Sequence, residues 1–193
     1  MNITRNAHAH RPTLAALILF GVLTSMTPSR GLAASGEEID TRVDSILQTF
    51  RNDVDGAKIF LRESKGVLVF PHILKGGFGL GAEFGEGALR VRGKTVDYYN
   101  TVAASFGLQM GAQSKAVILC FMTRDALNRF REGDGWEMGV DGSVALVTLG
   151  AGESIDSNSV KDPIVAFVFN NKGLMYNLTF EGSKMTRIRK ERR

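Results

Sequence analysis

The chain has 193 residues, 44% hydrophobic and 23% charged, with 24 basic and 20 acidic side chains. That balance supports one packed domain and excludes a highly charged disordered polymer. A single cysteine, Cys120, excludes an intrachain disulfide.

The first 33 residues read as an export signal outside the fold. Arg5 and Arg11 form a positive n-region, and Leu14–Leu23 is an apolar run of ten residues. Ten residues are too few to cross a bilayer as a helix. Gly31-Leu32-Ala33 supplies the small residues that a signal peptidase reads, so cleavage is expected after Ala33, with Ala34 as the alternative. Export to the periplasm or beyond is therefore expected, with 160 residues left in the mature chain. Arg5, Arg11 and Arg30 leave with the signal, so the 24 basic groups fall to 21 and the mature charge to +1. The mature charge is unevenly placed: residues 34–183 carry 15 basic and 19 acidic groups, while residues 184–193 form a basic tail.

Ser35-Gly36-Glu37-Glu38 fits a capping box, and Ile39, Val43, Ile46, Leu47, Phe50 and Val54 follow at helical spacing. Gly56 is expected to break this helix, with a second helical piece over Ala57–Ser64. The polar side of the first helix is acidic, which favours packing on the core over contact with anionic lipid.

From Gly66 onward the pattern is strand-like. Strands are expected at Val67–Phe70, Gly77–Glu83, Ala88–Arg92, Thr95–Tyr99, Ser105–Gly111 and Lys115–Met122. A short helix over Arg124–Arg131 follows, capped by Thr123 and stopped by Gly133. Further strands are expected at Ser143–Leu149, Ile164–Phe169, Leu174–Phe180 and Met185–Ile188, about ten in all, with a hairpin loop at Asn170–Gly173. Gly77, Gly79 and Gly81 alternate with Phe78, Leu80 and Ala82, which predicts a bare strand face open to close packing, with the N-terminal helix as its expected neighbour.

Two nucleotide-type patterns fail on context. Ala88–Thr95 matches the loose phosphate-loop spacing A/G-x4-G-K-S/T, but its alternation is that of a strand, and the residues after Thr95 are poor helix starters. Gly79, Gly81 and Gly85 imitate a dinucleotide fingerprint without the helix that it must open. Glu83 and Glu86, or Asp134 and Asp141 beside Trp136, are the acid pairs that a hydrolase reading would use. His72 is the one histidine of the mature chain, so neither a His/Cys metal site nor a cofactor is expected. Cys120 lies within an apolar run and reads as a buried, inert thiol.

The remaining chemistry is basic. Lys75, Arg90, Arg92 and Lys94 form a candidate cluster for phosphate or acidic headgroups, and Arg187, Arg189 and Lys190 in the tail form a second.

The run K-G-V-L-V-F-P-H-I-L-K-G-G-F-G-L-G-A-E-F-G-E-G resembles the SYLF domain family, as do Y-Y-N-T-V-A-A-S-F-G-L-Q-M-G-A-Q-S-K, V-D-G-S-V-A-L-V-T-L-G-A-G-E and K-G-L-M-Y-N-L-T-F-E-G-S. The resemblance runs from about Asp44 to Ser183. It implies non-enzymatic binding of phospholipids, notably phosphoinositides, and for some eukaryotic members binding of actin. Lys75, in the P-x3-K-G-G match, is the one basic residue that the resemblance carries over as a family position. The chain shows no SH3 module, and an exported protein does not meet cytosolic actin.

The expected fold is a single α+β domain over residues 34–183. N-terminal amphipathic helices pack on an extended antiparallel sheet or partly closed barrel. The expected function is binding of anionic phospholipid headgroups or a membrane surface, without nucleotide or metal. The alternatives are a structural or protein-interaction module of the cell envelope and, behind it, a hydrolase using Glu83 and Glu86.

Overall fold

A computed structural model describes residues 34–133, 135–148, 162–172 and 182–190, except for the side chains of 77–80, 105–113, 148 and 169–172. The proposed signal, the strand expected at 174–180, Asp134 and the last three residues lie outside the described residues.

Three helices and six strands make up the described part of the chain: α1 (Gly36–Asp53), α2 (Ala57–Glu63), β1 (Gly66–Val91), β2 (Lys94–Phe121), α3 (Arg124–Glu132), β3 (Trp136–Glu137), β4 (Ala145–Thr148), β5 (Ile164–Lys172) and β6 (Lys184–Ile188). The Ser35 hydroxyl accepts the Glu38 amide at 3.1 Å and caps α1. Gly56, at φ 80°, separates α1 from α2, a left-handed conformation that glycine adopts without steric cost. Thr123 caps α3 through the Ala126 amide at 3.2 Å.

The sheet differs from the expected set of about ten strands. Its order is β3-β6-β2-β5-β4, with β1 also pairing β2. Six of the expected strands are stretches of just two, β1 and β2, which pair antiparallel from Gly66↔Phe121 to Val91↔Lys94. Pro71, before which a strand was expected to end, marks a bulge instead. Register shifts occur between Phe70 and Ile73, where Pro71 has no N–H for the ladder, and between Phe78 and Leu80, around Gly79. A bulge bends a strand without ending it. The sheet is also mixed, because β4 runs parallel to β5. Asn170–Lys172, expected in a loop, belong to β5, and Ser114 pairs with Lys172.

β1 and β2 meet in a two-residue turn, Arg92–Gly93, with φ 52° and 77°. Positive φ at both positions suits the twist of a hairpin, and it holds Arg92 in a conformation that costs a non-glycine residue about 1–2 kcal/mol. Lys94, expected in the turn, opens β2 instead.

The sheet buries both faces, so its central strands read as continuous apolar runs. Val67, Val69, Ile118, Cys120, Val165 and Phe167 pack with Ile39, Val43 and Phe50 of α1 and Phe60 of α2. On the opposite face Leu68, Phe70, Leu119, Phe121, Ala166 and Val168 pack with Leu127 and Phe130 of α3 and with Trp136. Phe167 meets the rings of Phe50 and Phe60, each with its centroid 4.9 Å away, at interplanar angles of 50° and 74°. Cys120 is fully buried, and burial pushes its thiol up to about 12.

The sheet curls until the two halves of β1 face each other. A methyl built on Gly87 would lie 2.1 Å from the Val69 carbonyl oxygen, and one on Gly85 would lie 2.9 Å from that of His72. The close approach at these two glycines is therefore to the strand's own first half. The surroundings of Gly77 and Gly79 lie outside the described side chains.

Among the described residues no helix is long and apolar enough to cross a membrane.

Candidate functional site

The curl brings the closed end of the β1/β2 hairpin back beside its open end. A methyl on Gly66 would stand 3.5 Å from the Arg90 carbonyl oxygen. Between these ends, the C-terminal half of α1, the end of α2 and one side of α3, lies a groove of about 970 Å³. Seven cations line it: Arg51, Arg62, Lys65, Arg90, Arg92, Arg124 and Arg131. Among the described residues Asp44 is the one acid in that lining.

Local structure sets the direction of each group. Asp44, Leu47, Gln48 and Arg51 stand at i, i+3, i+4 and i+7 of α1, and so share one face. Arg124, Leu127, Asn128 and Arg131 repeat that spacing on α3. The tight turn then places Arg92 in the lining of the same groove.

Three of the cations are matched by acids. Arg131 meets Asp97 at 3.1 Å, Arg62 meets Glu63 at 3.0 Å, and Arg90 meets Asp44 at 2.9 Å. Arg90 also lies 3.5 Å from Asp40, whose carboxylate accepts the Thr95 hydroxyl at 2.6 Å and the Tyr98 hydroxyl at 3.0 Å. Among the described residues no carboxylate pairs with Arg51, Lys65, Arg92 or Arg124. Clustered guanidinium groups of this kind donate planar, charge-assisted hydrogen bonds to phosphate or carboxylate oxygens.

Of the cations singled out from the sequence, Arg90 and Arg92 lie in the groove. Lys94 is exposed just beyond the turn. Lys75 is elsewhere, 7% exposed, in a buried triad: its Nζ is 3.3 Å from Glu83, whose other oxygen is 2.6 Å from Lys115. Burial lowers the Lys115 ammonium from its ordinary value, against the opposing pull of Glu83.

The expected tail is partly woven into the sheet, since residues 184–188 form β6 and pair with β2. Arg187 donates to the Arg131 carbonyl and lies over the Tyr99 ring, 6.0 Å from its centroid. Lys190 holds Glu86 at 2.7 Å, and Arg189 is exposed.

The acid pairs are also committed. Glu83 and Glu86, three residues apart on one strand, project to opposite faces, and each pairs with lysine. Asp141 accepts the Glu137 amide at 2.6 Å and closes a turn. His72 is exposed, its Nδ1 3.5 Å from the Ser114 hydroxyl. Among the described residues no group of three His, Cys, Asp or Glu side chains could hold a metal ion.

Sequence reasoning missed Arg51, Arg62, Lys65, Arg124 and Arg131. The seven-residue spacing of Arg124 and Arg131 was a visible signal, but it became useful only once α3 was known to flank the hairpin.

No curated protein matches the chain. A family model, Ysc84, described as "Las17-binding protein actin regulator", matches residues 102–193, just under half of the 193 residues. The matched segment holds most of β2, α3 and β3–β6, and it supplies the α3 wall of the groove. Arg51, Arg62, Lys65, Arg90 and Arg92 precede it. Over those residues the chain is similar to the Ysc84 (SYLF) family, the family whose motifs its sequence resembles.

Proposed function

We propose that this chain is a non-enzymatic binding domain for anionic phospholipid headgroups at a membrane surface, and that the groove is where the headgroup sits. The observation that carries this reading is the concentration of seven cations against one acid in a single groove, four of them without a carboxylate partner among the described residues. Phosphate oxygens supply the missing acceptors. Export, periplasmic or secreted, belongs to the same proposal and rests on the residues before Ala34. Lys75 is assigned a structural part in the buried triad, and Arg187 and Lys190 are assigned to anchoring the last strand and its exit.

Arg51 on α1 and Arg124 on α3 both line the groove and have no acidic partner among the described residues, so replacing them tests the site with little cost to the fold. A basic residue near an anionic surface contributes roughly 1 kcal/mol, or about fivefold in affinity. Arg51→Gln with Arg124→Gln is expected to weaken cosedimentation with anionic vesicles about twenty- to thirtyfold, and added salt should weaken the unaltered protein in the same sense. Undiminished binding by the double variant would remove the groove from the reading. No binding by the mature protein at low salt would remove the reading itself.

A second reading has one observation in its favour. Phe84 and Val102, directly opposite in the β1/β2 ladder, are 49% and 47% exposed, and the family model's description names a protein partner. An envelope protein docked on that apolar pair would be retained in high salt, where the groove's electrostatic hold fails.

A further inference from the structure

Arg90 is held by two acids of α1, and the two differ in how firmly they are held themselves. Asp40 is fixed by the hydroxyls of Thr95 and Tyr98, and its backbone carbonyl also accepts from Arg90 Nη2 at 3.3 Å. Asp44 has Arg90 Nη2 at 2.9 Å, and its side chain is 66% exposed. It is also the acid that lines the groove. Asp44 and Arg90 line the groove together, so an anion seated there competes with Asp44 for Arg90. The Arg90 Nε is buried without a hydrogen-bond partner among the described residues, so the guanidinium has donor capacity beyond what the two acids use.

We propose that Asp44 is a built-in competitor for the anionic ligand: a phosphate group entering the groove replaces the Asp44 carboxylate on Arg90, while Asp40 stays in place. This rests on the reading of the groove as a headgroup site and adds its specificity-determining residue. The exchange has a clear chemical bias. A phosphate monoester carries about −1.5 to −2 charges and three acceptor oxygens, whereas the departing carboxylate carries −1. A phosphodiester has one charge to offer and gains less by the exchange. Asp44 thus filters against weak monoanions, and the groove prefers a monoester phosphate.

The test is a double-mutant cycle on the mature protein with vesicles of phosphatidylcholine containing either phosphatidic acid, a monoester, or phosphatidylglycerol, a diester. Asp44→Asn is expected to tighten binding to phosphatidylglycerol vesicles about fivefold and to narrow the preference for phosphatidic acid. Asp53→Asn, which removes the same charge from the end of α1 outside the groove, should change binding less than twofold. In an Arg90→Gln background the gain from Asp44→Asn should vanish. Arg90→Lys, which keeps a cation beside Asp40, provides the same comparison should the glutamine variant loosen α1 by circular dichroism.

A gain from Asp44→Asn that persists without Arg90, or that Asp53→Asn reproduces, overturns the proposal, since Asp44 would then act by overall charge alone. Binding by the wild type with no change in Asp44→Asn overturns the proposal and leaves the headgroup site standing. Absence of binding by both brings down the two together. Inorganic phosphate serves as the other source of the same chemistry. Thermal protection by phosphate alone, larger in Asp44→Asn, assigns the exchange to free phosphate, and vesicle binding without such protection assigns it to the lipid headgroup.

Discussion

Glu83→Gln is expected to cost about 3–5 kcal/mol of stability in urea unfolding at pH 7, the usual penalty for stranding a buried charge. Glu83 is 4% exposed and lies between two lysines that are 7% and 5% exposed. Removing its charge leaves two ammonium groups inside the curl with a neutral amide between them. Their attraction to the carboxylate offsets a desolvation cost of several kcal/mol per ion, and that offset is lost at once. A combined Lys75→Met, Glu83→Leu, Lys115→Met replacement should recover most of the loss, because it removes the charges along with their compensation. A loss below about 1 kcal/mol in Glu83→Gln would mean that the lysines are not desolvated as their burial indicates.

The deficit should also depend on pH, with a definite sign. Burial already holds Lys115 below its ordinary value of 10.5, and Glu83 opposes that shift. Without Glu83 the depression deepens. Between the folded and unfolded values the unfolded chain binds more protons, so stability rises with pH through that window. Glu83→Gln should therefore regain stability relative to wild type as the pH climbs towards 10.5. A deficit that stayed constant with pH would point to lost packing instead of stranded charge.

Gly87→Ala is the other severe change, expected to cost about 3 kcal/mol or more and to depress soluble yield. The new methyl would meet the Val69 carbonyl oxygen at 2.1 Å, the Val69 carbonyl carbon at 2.9 Å and the Phe70 ring at 2.8 Å. Two of those three atoms are backbone, so relief requires the halves of β1 to part. Gly76→Ala, on the same strand with nothing within 4 Å of the new methyl, should stay within about 0.5 kcal/mol of wild type. Comparable thermal midpoints for the two variants would show that the curl does not depend on this approach.

Short-range physics made the helices readable in advance. Ser35, Gly56, Thr123 and Gly133 act on neighbours within one turn, and each lies at the helix boundary that its chemistry demands. Strand character was equally plain, but strand ends were not. Pro71 carries the same local signal whether a strand stops or bulges, and the difference lies in a partner strand dozens of residues away.

The same distinction governs the site. Arg90 and Arg92 stood out by alternation along one segment. Lys75 looked similar, yet its partner is the buried Glu83, which it shares with Lys115, forty residues on. Arg51 and Arg124 gave no isolated signal, since their value comes from two helices meeting one turn. The glycine-rich stretch announced close packing, and the structure shows it slightly later, at Gly85 and Gly87, against the strand itself.

The groove spans two places that are far apart in sequence but belong to one strand, Gly66 at its start and Arg90 near its end. A molecule seated there would touch both places and act as a non-covalent staple across the curl. By linkage, occupancy at a hundred times Kd adds about 2.7 kcal/mol to the stability of the closed form, readable as a rise in melting temperature with ligand concentration. The fold and a ligand of the groove would then not be independent: what binds there would also hold the two ends of the strand together.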